Sequence, residues 1–92
     1  MTLALIWRPE ARQSMREIIT YIAARRPAAA QQLGDAILYA ASRLPDHPYI
    51  HRAGRVPGTR EAVIHPNYVL VYRVTAETIE ILSLLHARQQ YP

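Results

Sequence analysis

The side chains able to move a proton or hold a phosphate gather in the C-terminal half of the chain, at Arg60, Glu61, His65, Arg73, His86, Arg88 and Tyr91. Cleaving RNA without a metal requires a base for the 2′-hydroxyl, cations on the phosphate and an acid for the leaving oxygen. These residue types supply all of those roles. Within Arg60–His65 the middle reads Ala62-Val63-Ile64, none of which can hold a proton or a phosphate. His86 follows Leu84-Leu85 alone, and a histidine ending an apolar strand is more often a hydrogen-bonded structural residue than a catalyst. Strand side chains alternate between faces, so one position of shift would carry its imidazole to the other side of a sheet.

Other constellations are weaker. His47 and His51 have a spacing that suits a metal only on a helix, and they flank Pro48. With no cysteine in the chain, we expect neither a metal nor any other cofactor. His65 precedes Pro66 and reads as a strand-end residue. Tyr68 and Tyr72 share a strand face with Leu70 and Val74, a stripe that suits a core or a partner's groove better than a platform for stacked bases. Arg60-Glu61 fits an ion pair on a solvated face as well as a functional surface. No phosphate-cradling glycine loop, paired-carboxylate site or serine triad occurs.

What must position these residues is small. Ninety-two residues suffice for one domain, expected over residues 1–92, and half of them are hydrophobic. No apolar run approaches the roughly 18 residues of a membrane span. The first seven residues lack the basic start and small-residue cleavage site of a signal peptide, so a cytoplasmic protein with no membrane partner is expected. The net charge is +4 and the pI about 10.0; every one of the eleven basic residues is arginine. Arginine forks suit carboxylates and phosphates, which points to an acidic partner.

The pattern predicts a buried strand at Leu3–Trp7 and a helix from Pro9 to Ala24 or Arg25, with Ala11, Met15, Ile18, Ile19 and Ile22 on one side. Pro27 restarts the chain in a second helix, with Ala30, Leu33, Ile37, Ala41 and Leu44 as its stripe, ending at Pro45. Pro45 to Gly58 reads as a loop. Strands follow at Arg60–His65, Tyr68–Val74 and Ile79–His86, joined by turns short enough for an antiparallel meander. The expected fold is α+β, in the order β-α-α-β-β-β, with a helical hairpin packed on an antiparallel sheet.

Several segments together resemble the RelE/ParE superfamily of bacterial toxins, in particular its ParE-like branch. They are Trp7 closing a first strand, the proline-bearing Ala23–Ala30, Gly54-Arg55-Val56-Pro57-Gly58-Thr59-Arg60-Glu61, His65-Pro66-Asn67-Tyr68-Val69-Leu70-Val71-Tyr72-Arg73-Val74, and the ending from Ile81 to Pro92. The resemblance covers nearly the whole chain and is most specific from Arg55 to Arg88. It implies the growth-inhibiting toxin of a type II toxin–antitoxin pair, of the kind that stabilises plasmids, bound in a hetero-oligomer by a cognate antitoxin. In the ParE-like branch the target is DNA gyrase and no catalytic residue is expected. Partner-binding candidates are then Arg60, Glu61, Tyr68, Tyr72, Arg73, His86, Arg88 and Tyr91. The RelE-like alternative is an mRNA endonuclease acting on the ribosome, with Arg60, His86 and Arg88 as acid and phosphate clamps. A third reading is an inactive fold that only binds its antitoxin.

Overall fold

A computed structural model describes residues 3–88. Its elements are β1 (Ala4–Trp7), α1 (Pro9–Ala23), α2 (Pro27–Arg43), β2 (Arg52–Ala53), β3 (Arg60–His65), β4 (Tyr68–Val74) and β5 (Thr78–His86). Both helices begin on a proline, whose fixed φ suits the first turn and whose missing N–H has no partner to lose there. The expected α+β architecture, hairpin against sheet, is present.

The five strands lie in the order β1-β5-β4-β3-β2. From β2 to β5 every pairing is antiparallel, while β1 joins β5 in parallel after the chain has crossed through the hairpin. Two expectations need correction. The Leu3–Trp7 segment is an edge strand rather than a buried one: Leu5 and Trp7 pack on the core while Ala4 and Ile6 face solvent, Ile6 at 41% exposure. Within the supposed loop, Arg52 and Ala53 pair with Glu61 and Arg60 as β2, too short a strand to leave a periodic signature.

Helices α1 and α2 cover the inner face of the sheet. Ala11, Ile37, Leu44, Leu70, Tyr72 and Ile81 are among the residues sealed between the layers. The outer face carries a smaller cluster of Val69, Val71 and Leu85, with Leu82 against it.

One irregularity decides which residues share a face. Val71 pairs with Ser83 but Tyr72 pairs with Ile81, so Leu82 is an extra residue in β5. Such a bulge breaks strict alternation. Ile79 and Ile81 point inward before it, and Leu84 and His86 point inward after it. A second bulge, at Ile64 of β3, does the same for His65. Past Ile81, β5 has outrun β1, and the Leu84 N–H donates instead to the Ser14 hydroxyl of α1 at 3.0 Å. Ser14 in turn donates to the Ala11 carbonyl.

Candidate functional site

The inner face of the sheet extends past the hairpin at both ends, and the candidate residues divide between them. At one end, Arg60 on β3 stands opposite Tyr72 on β4. Its guanidinium donates to the carbonyls of His51 at 2.7 Å and Tyr49 at 3.3 Å, and lies 4.9 Å from the Tyr49 ring centre. The Tyr72 hydroxyl donates to the Pro48 carbonyl at 2.8 Å. Arg60 and Tyr72 therefore tie the 48–51 loop to the sheet. Burial raises the Tyr72 phenol above its ordinary pKa against the opposing pull of Arg60. His51, edge-on to Tyr72 with ring centres 6.0 Å apart, is pushed below its ordinary value by burial and then by the Arg60 charge.

At the other end, the two bulges and the register of β4 line up His65, Tyr68 and His86 across three strands. The Tyr68 ring lies 6.0 Å from the His65 ring and 5.4 Å from the His86 ring. Each imidazole is locked by its own turn. His65 Nδ1 accepts from the Asn67 N–H at 3.1 Å, and His86 Nδ1 accepts from the Arg88 N–H at 3.2 Å. In the neutral ring the proton then sits on Nε2, so both histidines present a donor. Beneath the row, Ile22, Leu33, Ile64 and Gln32 help line a hollow of about 250 Å³. From the sequence His65 reads as a strand end, and it does end β3; the Ile64 bulge that puts it beside Tyr68 leaves no mark in composition.

Arg60 and His86 are not brought together. Their cross-strand partners Tyr72 and Tyr68 are four residues apart on β4, about 13 Å at roughly 3.3 Å per residue. Arg88 follows His86, and Tyr91 lies outside the described residues.

Glu61 faces outward from the sheet and is nonetheless buried, at 3% exposure. Its carboxylate accepts from Arg52 at 2.9 and 3.1 Å and lies 3.8 Å from the Arg55 Nε. Arg55 also donates to the Ala87 carbonyl. These contacts hold the Gly54–Thr59 turn on the outer face. A Cβ at Gly54 would stand 2.2 Å from the Thr59 Oγ1, and Gly58 has φ of 85°, so both positions require glycine. Arg73 pairs across the same face with Glu80. Among the described residues no cluster of three His, Cys, Asp or Glu is placed to hold a metal. Nor is any helix long and apolar enough to cross a membrane.

A third feature lies on the hairpin. Trp7, Met15, Ile19 and Leu38 floor a groove of about 420 Å³, rimmed by Arg12 and Arg16 one helical turn apart.

The family model described as the ParE toxin of type II toxin–antitoxin system, parDE, matches residues 5–91. The chain belongs to this family. Membership places it in the ParE-like branch of the RelE/ParE toxin superfamily. A curated relative, the putative toxin Y4kP of Sinorhizobium fredii, is 40% identical over 50 residues, covering 53% of this chain and 51% of the relative. The match thus spans about half the length of each. Among solved structures, the chromosomal ParDE system of P. aeruginosa superposes with a TM-score of 0.80 at 19% identity, covering 92% of this chain and 96% of that one. The RelBE2 toxin–antitoxin complex of Mycobacterium tuberculosis gives 0.64 at 20% identity, with 97% and 95% covered. The YoeB dimer of Staphylococcus aureus gives 0.63 at 16%, with 99% and 100% covered. At these identities the likeness is one of fold, and the same fold carries different activities.

Proposed function

We propose that this ParE-family chain is the toxin of a type II toxin–antitoxin pair and inhibits DNA gyrase by binding, with no chemical step of its own. The observation that carries this reading is the separation of Arg60 from His86. Arg60 is occupied by loop carbonyls at one end of the sheet, four residues along β4 from the strand position opposite His86. The neutralising antitoxin fits the Trp7–Leu38 groove. An acidic amphipathic segment would bury an apolar stripe there and meet Arg12 and Arg16 at its rim. A nanomolar complex, worth about −12 kcal/mol, is expected on co-expression with the neighbouring gene's product. Purified chain added to gyrase and relaxed plasmid should block supercoiling; full supercoiling at micromolar chain would overturn the reading.

The row of His65, Tyr68 and His86 favours a second reading, the RelE-like mRNA endonuclease, because it aims Nε2 donors from one face. Under it, His65→Gln or His86→Gln would slow cleavage by roughly 10²–10⁴-fold. Under the gyrase reading both variants retain most toxicity. Transcript ends mapped in poisoned cells separate the two: codon-phased cuts, abolished in either variant, would establish the endonuclease.

A further inference from the structure

Large apolar side chains are unevenly exposed on this molecule. Of those that face solvent outside the Trp7–Leu38 groove, Tyr39, Tyr49 and Ile50 fall between the second half of α2 and the loop that follows it. Tyr49 is 64% exposed and Ile50 62%. Solvent-facing side chains of this size in a loop ordinarily accompany a loose backbone. Here the backbone is fastened on both sides of them. The Pro48 carbonyl receives the Tyr72 hydroxyl, and the Tyr49 and His51 carbonyls receive the Arg60 guanidinium. Tyr72 is fully buried, so the loop is anchored directly to the core. The same guanidinium packs on the Tyr49 ring and fixes that side chain as well. Next to the ring, Ala53, Gly58, Thr59 and Val74 help to line a hollow of about 310 Å³.

Two features of this arrangement belong to binding surfaces. A rigidly held loop loses little entropy on docking, and tyrosine with arginine is the pairing enriched where binding energy concentrates. Charge then selects the partner. The chain as a whole carries +4; near the loop in sequence, Arg43 and Arg60 stand against Asp46, while Arg52 and Arg55 are paired with Glu61 on the outer face.

We infer that the Tyr49–Ile50 loop is the surface through which this chain docks its target, and that the target presents an acidic protein surface with an apolar hollow for Ile50. The inference rests on the reading that the chain acts by binding a protein, and it assigns the contact face for that action. This face lies on the opposite end of the sheet from the His65–His86 row.

The test uses Tyr49→Ala/Ile50→Ser, Ile50→Asp and Ile50→Arg in the full chain, each first checked for an unchanged melting temperature. All are read in gyrase supercoiling, in growth arrest on induction, and in binding to the co-expressed product of the neighbouring gene. The double variant should need at least 100-fold more protein for half-inhibition and should no longer arrest growth, while still binding the neighbouring product. Ile50→Asp should lose at least tenfold more inhibition than Ile50→Arg, because it sets an anion against an acidic partner. Inhibition and arrest at wild-type levels would overturn the inference. So would loss confined to the neighbouring product, which would make the loop an antitoxin contact. Equal losses in the Asp and Arg variants would overturn the acidic partner. If the wild-type chain leaves gyrase untouched, the gyrase reading falls, and growth arrest by the double variant alone then decides the docking surface. A double variant that unfolds is replaced by Ile50→Asp, whose side chain is exposed and forms none of the loop's anchoring bonds.

Discussion

Charge at single residues makes the loop end of the sheet sensitive to acid. His51 is held below its ordinary pKa of 6.5 by burial and by Arg60, with Tyr72 against its ring. The unfolded chain therefore binds the proton more readily than the folded one. The stability His51 confers is complete above about pH 6.5 and is lost as pH falls through the lower folded value. Melting temperature should drop between pH 7 and pH 5 more in the parent than in His51→Gln, and equal drops would refute the assignment. Tyr72→Phe keeps the ring but leaves the Pro48 carbonyl without its donor, at a cost of about 1–2 kcal/mol in urea unfolding. Residue-level roles were the least legible in the sequence. Glu61 and Arg60 are neighbours on a strand and so point to opposite faces, and each serves a different loop. Strand alternation already separates the two, but which loop each one holds leaves no mark in the sequence.

At the scale of elements, the helices and the three long strands were readable because periodicity and prolines mark them. What escaped were departures from periodicity. The Leu82 bulge leaves β5 looking like an ordinary apolar run, yet it sets the face of everything after Ile81. It also depends on α1, since the Leu84 N–H would otherwise lie beside β1's end without an acceptor. Ser14→Ala should cost about 1–2 kcal/mol, the penalty for an unpaired donor in a partly buried place. Ser42→Ala, which removes a hydroxyl bonded only to its own helix on the exposed side, should change stability by less than about 0.5 kcal/mol. Similar losses in the two variants, measured by denaturant titration, would remove Ser14 from any role in the bulge. Gly54→Ala should be worse than either, because its Cβ would collide with Thr59; a cost of about 1–3 kcal/mol is expected.

On the readings proposed above, the whole molecule offers separate surfaces to separate partners. The groove rimmed by Arg12 and Arg16 lies on the hairpin, whereas Tyr49 and Ile50 project from the loop at one end of the sheet. Charge reversal at the groove, Arg12→Glu/Arg16→Glu, should slow association with the neighbouring gene's product by about tenfold or more at low salt. The effect should shrink as salt screens it, and gyrase inhibition should stay intact. Biolayer interferometry across a salt series reads the first outcome and supercoiling the second. A variant that associates at the parental rate would move the acidic partner elsewhere.

The parallel pairing of β1 with β5 has a consequence in time. Ala4 is matched to Thr78 and Trp7 to Ile81, so a strand made before the hairpin waits for one made after β4. Contacts of such long sequence separation form late, after the chain has lost the entropy of closing the loop between them. During translation the hairpin can form early, but the sheet on which both ends of the inner face depend cannot close. A chain released before β5 is made would therefore lack both ends of the inner face and, on the function proposed above, would not act. On that same function, action waits for β5, and an antitoxin present during synthesis has that interval in which to arrive first.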